Sequence, residues 1–384
     1  MSETPLALSE LLGAINRIAP PTLAESWDNV GLQVGTPSDP VRRVLVALEI
    51  SDAVLDEAES LGIDCIVTHH PLIFSPLKSL NGSHAQGRFL IRLIRMGSAL
   101  LCAHTNLDSV PEGTNGVLAD LSGLKDRKPL FPVPIPGMEE VKYAVYVPVE
   151  HVAAVIEAIH QAGAGVIGNY SHCTFRVPGV GTYKPMEGAN PFAGEVGKFE
   201  EATGEVKLEA ICPKRQLEKL LEKVRKVHPY EEIAYDVFPI VPTREPETGL
   251  GIVGKLNSSV PFELFVQNFL GVLSQTFPKV SPVVSLVGNA EKLIQRVAVC
   301  SGAGGEVVRR WRQGMADVLI TGELTHHQAA ELRDRGVAAL CIGHYASEAI
   351  VCGRLRDLLV SELGKKSPEV FVSDVNADPF RSHG

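Results

Sequence analysis

A short apolar run, Ile66-Val67-Thr68, ends abruptly in two adjacent histidines and a proline, His69-His70-Pro71. An apolar run of this length is typical of a buried strand, so the histidine pair is expected where the strand enters a loop. Pro71 favours an extended backbone at His70, which turns the two imidazole rings to different sides of the chain. A divergent pair of this kind suits two metal ions better than one.

Predicted strands and helices alternate at short intervals before residue 125 and again after Gly249. The strands of the first part are expected at 44–50, 63–68 and 99–103. A helix is expected over Asp52–Leu61, because Ser51 is a residue type that caps helix starts. This alternation predicts an α/β fold with a parallel or mixed sheet flanked by helices. In such sheets ligands bind beyond the carboxyl ends of the strands.

Two proline-rich segments, 126–137 and 239–249, have the composition of linkers. Between them the predicted order is strand, helix, strand, strand, helix, strand, which is a ferredoxin-like pattern. We therefore expect residues 1–125 and 249–384 to form one α/β domain. Residues 126–248 are expected to be a ferredoxin-like (βαββαβ) domain inserted into it.

Two further segments place histidine and a carboxylate after predicted strands. His104 is followed by Asp108, and His344 is followed by Glu348 in the first turn of a predicted helix. Residues four apart on a helix share a face, so His344 and Glu348 can reach one metal centre. Imidazole and carboxylate donors without thiolate favour a catalytic site for Zn, Mn, Fe, Ni or Co over a structural zinc site.

The sum of these segments predicts a dinuclear metal site. The alternative is a cluster of buried histidines that are satisfied by hydrogen bonds in polar loops. Two metal ions activate water and clamp the oxygens of a phosphoryl or carbonyl group, so hydrolysis is the expected chemistry. His104 and His327 are candidates for general acid or base or for support of the metal ligands, and the sequence assigns neither role.

Two polar turns have open interpretations. Asp28-Asn29 follows Trp27 and is either ordinary turn chemistry or part of the rim of the site. The glycine-rich loop 301–305 follows a predicted strand and opens a helix. Its backbone amides could cradle a phosphate, or it could be a tight turn between strand and helix.

Composition narrows the class of protein. With 384 residues, of which 45% are hydrophobic and 21% charged, the chain can bury a core large enough for two or three domains. No apolar stretch approaches the roughly 18 residues that span a bilayer, and the N-terminus lacks a signal-peptide pattern, so we expect a cytoplasmic protein without a membrane partner. The net charge of −9 disfavours nucleic acid as a partner. The seven scattered cysteines indicate neither disulfides nor a thiolate zinc site.

Several separated motifs, which agree in their order along the chain, resemble the NIF3-like family, whose bacterial members carry the label GTP cyclohydrolase 1 type 2 homolog. In the flanking parts they are Thr68-His69-His70-Pro71, His104-Thr105-Asn106-Leu107-Asp108, Thr321-Gly322-Glu323 with His327, and Gly343-His344 with Glu348. In the middle part they are Gly179-Val180-Gly181-Thr182-Tyr183, Glu187-Gly188-Ala189 and His228-Pro229-Tyr230-Glu231-Glu232. The family usually has Asp where this chain has Glu323, and an aromatic residue is common at the position of His326.

The resemblance implies a specific set of ligands for two divalent metal ions, with zinc preferred and Mn, Fe, Ni or Co as alternatives. His69 and Asp108 would bind one ion, His70 and His344 the other, and Glu348 would bridge both. It also implies a toroidal homohexamer whose metal sites face an internal cavity. The middle domain resembles PII and CutA-like folds, so residues 179–183 and 228–232 would form either a packing surface in a trimer or a ligand pocket.

Two functions are compatible with this resemblance. The first is a metal-dependent hydrolase that acts on a nucleotide, with ring opening of GTP as the specific expectation. The second is a ring-shaped regulatory or binding protein, in which the inserted domain senses a small molecule or a partner and the metals are structural.

Overall fold

Two compact units make up the chain. The computed structural model describes residues 5–133, 139–241 and 246–380. The first unit consists of Met1–Val133 together with Pro246–Gly384, and the second of Pro134–Glu245. The second unit therefore lies between two segments of the first along the chain.

The helices and strands follow in chain order. Residues 5–133 contain β1 (Leu6–Ala7), α1 (Leu8–Ile18), β2 (Gly31–Val34), β3 (Pro40–Val41), β4 (Arg43–Ala47), α2 (Asp52–Leu61), β5 (Cys65–Thr68), α3 (Ala85–Met96), β6 (Ala99–Cys102), α4 (Thr105–Asp108), α5 (Thr114–Leu121) and β7 (Lys125–Pro132). Residues 139–241 contain β8 (Glu140–Pro148), α6 (Val152–Gln161), β9 (Thr174–Tyr183), β10 (Glu200–Pro213), α7 (Leu217–Arg225) and β11 (Tyr235–Pro239). Residues 246–380 contain β12 (Gly249–Pro261), α8 (Phe262–Thr276), β13 (Ser285–Val287), β14 (Leu293–Ala303), α9 (Gly305–Arg310), β15 (Val318–Glu323), α10 (His326–Asp334), β16 (Ala338–Cys341), α11 (His344–Glu348), α12 (Val351–Leu363) and β17 (Glu369–Val372).

A five-stranded mixed sheet in the first unit has the order β17-β4-β5-β6-β2. Its first four strands are parallel, and β2 pairs antiparallel with β6. The start of β4 is fixed by Asp64, whose Oδ2 accepts the backbone N–H groups of Arg42 and Arg43 at 2.7 and 2.9 Å. Because β5 and β6 are parallel neighbours, their carboxyl ends deliver the residues that follow them to the same edge.

A six-stranded mixed sheet in the same unit has the order β13-β16-β15-β14-β12-β7, with β14, β15 and β16 parallel. Asp317 repeats the role of Asp64, because its Oδ2 accepts the N–H groups of Gln295 and Arg296 at 2.9 and 2.7 Å. At their carboxyl ends, β14 carries Ser301, β15 ends at Glu323, and β16 leads into α11.

The predicted α/β fold with mixed sheets and helices is confirmed at this coarse level, although the strands of the first unit form two large sheets where one was expected. The prediction of a linker over 126–137 is wrong for most of its length, because β7 occupies Lys125–Pro132. β7 is an edge strand, where proline is tolerated since one side of the strand needs no hydrogen-bond donor. Residues 134–138 and 242–245 of the two proline-rich segments lie outside the described residues.

The second unit contains a four-stranded antiparallel sheet with the order β11-β8-β10-β9. Alternate residues of β8 and β10, such as Tyr143, Val145 and Leu208, are buried in one cluster. Val155 of α6 and Leu220 of α7 belong to the same cluster, so both helices pack on that face of the sheet.

The helices that cover the sheets of the first unit are amphipathic. α2 begins as predicted, with the Ser51 hydroxyl accepting the N–H of Val54 at 3.2 Å, and it buries Leu55 against the five-stranded sheet. It ends at Gly62, which adopts the left-handed conformation that favours glycine. Within the part of the chain that the structure describes, no helix has both the length and the apolar character needed to cross a membrane.

Candidate metal centre

His69 lies directly after β5 and is only 1% exposed. Its Nδ1 is 2.9 Å from the carbonyl oxygen of Ala103, and because a carbonyl only accepts, Nδ1 carries the hydrogen and Nε2 a free lone pair. That Nε2 is buried without a hydrogen-bond partner. An unpaired polar atom of this kind costs about 1–3 kcal/mol, so it is expected where a ligand, here a cation, uses the lone pair.

Asp108, the last residue of α4, lies beside that nitrogen. Its Oδ1 is 3.6 Å from His69 Nε2, which is longer than a hydrogen bond. The same oxygen accepts the hydroxyl hydrogen of Thr114. Burial raises the pKa of Asp108. A cation between the imidazole and the carboxylate would offset the cost of burying both groups, so these residues fit a metal ion.

Glu348 joins the two remaining histidines. Its Oε2 accepts from His70 Nε2 at 2.8 Å and from His344 Nε2 at 3.1 Å. Burial would raise the pKa of Glu348, but the hydrogen bonds from both imidazoles lower it well below its usual range. Burial would likewise lower the pKa of His70, but its bonds to Glu348 and Glu49 raise it to about 9. The bonds of His344 to Glu323 and Glu348 raise its pKa to about 10.

Each of the four histidines has its Nδ1 held by an acceptor outside the cluster. The pairs are His69 with the Ala103 carbonyl at 2.9 Å, His70 with Glu49 Oε2 at 3.1 Å, His104 with Asp28 Oδ1 at 2.9 Å, and His344 with Glu323 Oε1 at 2.8 Å. Histidines that bind metals are usually oriented in this way, because the outer bond fixes the ring and leaves Nε2 for the ion.

Two overlapping groups of donor atoms could hold a cation. The ligand atoms of His69, His70 and His104 lie within 4.8 Å of one another, as do those of His70, His344 and Glu348. His70 is shared, so the two positions are adjacent. His104 is itself a member of the first group, although the family resemblance does not make it a ligand, and Asp108 belongs to neither group. The pairing of ligands with particular ions stays a prediction.

The sequence matches the family described as Duf34/NIF3 (NGG1p interacting factor 3) over residues 6–379. The chain belongs to the DUF34/NIF3 family.

Its relatives cover the whole chain. A Bacillus subtilis protein named GTP cyclohydrolase 1 type 2 homolog is 36% identical over 97% of both chains, and one of the same name from Halalkalibacterium halodurans is 38% identical over 95% of both. Among solved structures, a Bacillus cereus protein related to NIF3 aligns over 100% of both chains with a TM-score of 0.75 and 34% identity. Staphylococcus aureus protein SA1388 aligns over 99% of both with a TM-score of 0.83 and 28% identity.

His327 does not join this cluster of the DUF34/NIF3 chain. It lies exposed in the first turn of α10, where its ring contacts His326 at a centroid distance of 5.7 Å. Within the described ranges, no hydrogen bond or ring contact links it to the clustered histidines. His104, the other candidate for proton transfer, packs edge-on against His69 and His70 at centroid distances of 5.1 and 5.7 Å.

Asp28 belongs to the rim of the site, which was one of its two open interpretations. Besides His104, it accepts the N–H of Thr105 at 3.1 Å and the Thr105 hydroxyl. Burial would raise the pKa of Asp28, but these hydrogen bonds lower it to about 2. The carboxylate therefore stays ionised and holds the Nδ1 hydrogen of His104.

Glu49 is the site residue that sequence reasoning missed. The apolar run around it predicted a strand over 44–50, which would place Glu49 inside the sheet. β4 ends instead at Ala47, and Glu49 emerges at the same edge as the histidine pair. An acidic residue near the end of an apolar run was the available signal, and its position relative to β4 matches that of His70 relative to β5.

The glycine-rich segment 301–305 is a direct change from strand to helix at Gly304, with Ala303 the last residue of β14 and Gly305 the first of α9, and it is not a free cradle of amides. The N–H of Ser301 donates to Asn115 Oδ1 at 2.8 Å, that of Gly302 to Ser347 Oγ at 2.9 Å, and that of Gly304 to the Glu323 carbonyl at 3.1 Å. These protein acceptors occupy the donors that a phosphate would need.

Gly302 brings this loop against Glu348. It has a φ of +63°, and a Cβ at this position would overlap Glu348 Oε1. We expect Gly302→Ala to displace the carboxylate, to weaken metal binding, and to cost about 1–3 kcal/mol of stability from backbone strain. Gly314→Ala is the matched control, because Gly314 has a φ of +79° but nothing near its Cβ. Thermal unfolding and metal titration of both variants check this, and equal metal affinity in the two would contradict it.

Metal binding is expected to release protons. The pKa values of about 9 for His70 and about 10 for His344 mean that both imidazoles are protonated near pH 7, and a cation must displace those protons to reach Nε2. Metal affinity should therefore rise as the pH rises toward 9 and fall as the pH falls. Calorimetric titration with Zn²⁺ or Mn²⁺ in buffers of different ionisation enthalpy measures the protons released. A binding heat that is independent of the buffer would refute the prediction.

Proposed function

We propose that this DUF34/NIF3 chain is a metal-dependent hydrolase that acts on a nucleotide, with GTP as the first substrate to test. The observation that carries the proposal is the buried, unpaired Nε2 of His69 within a cluster of imidazoles and carboxylates. The name GTP cyclohydrolase 1 type 2 homolog, borne by relatives 36–38% identical to this chain, supports the choice of substrate.

His69, His70, Asp108, His344 and Glu348 are the proposed ligands, and they would hold two divalent cations. Neutral imidazole and carboxylate donors favour zinc first and Mn, Fe, Ni or Co as alternatives. When bound, such ions supply activation of water and neutralisation of negative charge on the substrate.

The chain's own residues would orient the ligands and move protons. Glu49 and Glu323 hold the rings of His70 and His344 through Nδ1. Asp28 holds the Nδ1 hydrogen of His104, so Nε2 of His104 is the atom that can take up and release a proton. His327, exposed on α10, is a weaker candidate for the same role.

The test is an activity assay of purified protein loaded separately with each candidate metal. GTP, a panel of other nucleotides and simple phosphoesters are supplied, and formate, phosphate and nucleotide products are measured. We expect turnover of at least one nucleotide that is lost when the metal is removed and restored when it is returned. If metal-loaded protein leaves every compound of the panel unchanged, the hydrolase proposal fails.

A pair of variants separates metal binding from proton transfer. His104→Gln should lose turnover, because an amide cannot exchange a proton at that position, but it should keep most of its metal, because His104 is not among the five proposed ligands. Loss of metal in this variant would make His104 a ligand of the first donor group instead. His327→Gln serves as the comparison, since its ring does not contact the cluster. If His104→Gln keeps its activity and His327→Gln loses it, the assignment of the two residues is reversed.

The second candidate function is sensing of a small molecule by the unit Pro134–Glu245, which we propose to be a ferredoxin-like domain. A cavity of about 370 Å³ in this unit favours it. The cavity is lined by aromatic side chains, including Tyr183, Phe192 and Tyr230, and by Glu205, which accepts the Tyr230 hydroxyl hydrogen at 2.8 Å. Gly181 lies against the Glu205 carboxylate, where a Cβ would overlap it. Of the segments 179–183 and 228–232, left open between packing and ligand binding, residues 181–183 and 230–232 line this cavity.

The proposed assembly is a toroidal homohexamer, and chelation distinguishes the two functions. Native mass spectrometry before and after treatment with a chelator reports subunit number and metal content together. Loss of turnover with an intact assembly supports the enzyme. If the metal-loaded protein shows no turnover and the assembly dissociates when the chelator removes the metal, the metal has a structural role, and this result supports the sensing function.

A further inference from the structure

Two exposed aromatic rings stand beside the candidate metal centre. Trp27 is 55% exposed and Phe74 is 51% exposed, and their ring centroids are 5.6 Å apart with a tilt of 41°. The ring of Trp27 meets His104 edge-on at 6.1 Å. The pair is therefore continuous with the histidine cluster and not an isolated surface patch.

Hydrogen bonds hold the two rings in place. The segment after Trp27 and the loop before Phe74 are tied at Ile73, whose carbonyl accepts from Asn29 Nδ2 at 2.6 Å and whose N–H donates to Gln33 Oε1 at 2.9 Å. Gln33 Nε2 donates in turn to the carbonyl of Asn29 at 2.8 Å. Asp28, the residue next to Trp27, is bonded to His104. The position of the aromatic pair relative to His104 is thus set before any ligand arrives.

A prearranged pair of this kind suits one class of ligand. Large aromatic side chains bury 150–250 Å² when covered, so half-exposed rings leave a substantial apolar area for a partner. Flat heteroaromatic rings stack on tryptophan and phenylalanine regardless of their hydrogen-bonding pattern. The carboxylates of Asp28 and Glu49 near the cluster disfavour phosphate at this edge but do not repel a neutral base.

We propose that Trp27 and Phe74 form a stacking subsite for the purine or other heteroaromatic base of the substrate, and that this subsite directs the base toward His104. The proposal rests on the proposed function, which it deepens by naming the part of the nucleotide that is recognised. Because the two rings are tilted by 41°, a base stacked on Trp27 would meet Phe74 from the side.

The chain offers a direct reporter for this subsite. It contains two tryptophans, and the other, Trp311, is 5% exposed with its Nε1 buried and unpaired. Trp311→Phe therefore removes an unsatisfied polar atom from the core and leaves Trp27 as the sole tryptophan. In the metal-loaded Trp311→Phe protein, GTP should quench Trp27 fluorescence in a saturable titration. Inorganic tripolyphosphate at the same concentration should not.

Removal of Phe74 gives a second measurement. Phe74→Ala in the same background should weaken GTP binding by about 5- to 150-fold, the range that loss of one stacking contact represents. Its effect on turnover should appear mainly in KM, because among the described residues Phe74 has no hydrogen bond or ring contact with the proposed metal ligands. Phe199→Ala is the matched control, since Phe199 is 67% exposed and lies in the other unit.

The outcomes separate this subsite from the proposed function. If GTP is turned over but neither quenches Trp27 nor binds more weakly to the Phe74→Ala variant, the subsite is refuted and the hydrolase stands. If the base quenches Trp27 but no substrate is turned over, the hydrolase fails and the binding site stands. If Phe74→Ala changes only the number of subunits in light scattering, the rings cover a second copy of the chain and the subsite is refuted.

Discussion

Glu348→Gln is expected to purify with almost no bound metal. Glu348 is 4% exposed, and its Oε2 lies within 2.8 Å of His70 Nε2 and 3.1 Å of His344 Nε2. Glutamine keeps the shape but removes the negative charge that a cation at this position requires. Loss of an outer hydrogen-bond partner lowers metal affinity by about 10- to 100-fold, and loss of a shared carboxylate ligand should exceed that range.

The substitution also changes the histidines in the absence of metal. The pKa values of about 9 and 10 at His70 and His344 depend on the carboxylate of Glu348, so both should fall in the variant. Elemental analysis measures the metal, and nuclear magnetic resonance titration measures the imidazoles. Glu369→Gln is the matched control, because Glu369 pairs with Arg43 on the surface at 3.0 Å. Full metal content in Glu348→Gln would rule out Glu348 as a ligand.

His69→Phe is expected to remove the stabilisation that the ion at His69 confers, while leaving the metal-free protein nearly as stable as before. Phenylalanine fills the buried site of the ring and eliminates the unpaired Nε2. It also leaves the Ala103 carbonyl without its donor, which costs about 1–3 kcal/mol and offsets that gain. An ion at 100 times its Kd stabilises the folded state by about 2.7 kcal/mol. The variant should lose this increment for the ion at His69 and keep it for the ion at His70 and His344.

Denaturant unfolding with and without metal measures both quantities. Trp311→Phe supplies the control, since it replaces another buried aromatic side chain that has an unpaired nitrogen. That variant should keep the full metal-dependent increment. If His69→Phe keeps the full metal-dependent increment as well, His69 Nε2 does not bind a cation. Its unpaired lone pair then no longer supports the proposed function.

Local patterns in the sequence predicted the elements that position the site, because those patterns act over a few residues. The helix Asp52–Leu61 begins and ends where Ser51 and Gly62 indicate. The histidine pair follows β5 because an apolar run gives way to polar residues and a proline. The motif residues that follow β5 and β6 lie at one edge of the five-stranded sheet, since parallel strands bring their carboxyl ends together. His344 follows β16 of the six-stranded sheet, so its approach to His70 does not follow from strand pairing.

Features that depend on distant contacts were not predictable in this way. The place of Asp108 beside His69 is governed by Thr114 and by Ser301, which lies on another sheet. The orientation of His104 depends on Asp28, 76 residues earlier in the chain. The edge strand β7 reads as a linker because its prolines disfavour a central strand, and only its pairing with β12 reveals it. His327 is a histidine like those of the cluster, but its position in α10 places its ring against His326 and not against the clustered histidines.

The pairing of β7 with β12 has a consequence for how the second unit is attached. Pro132 and Gly249 are register partners on these antiparallel neighbours, so the chain leaves and re-enters the sheet at a single point. The segment between Pro132 and Gly249 therefore occupies the position at which a hairpin turn usually connects two antiparallel strands. A graft, exchange or excision at this point would alter the connection without shifting the strands that carry the histidines.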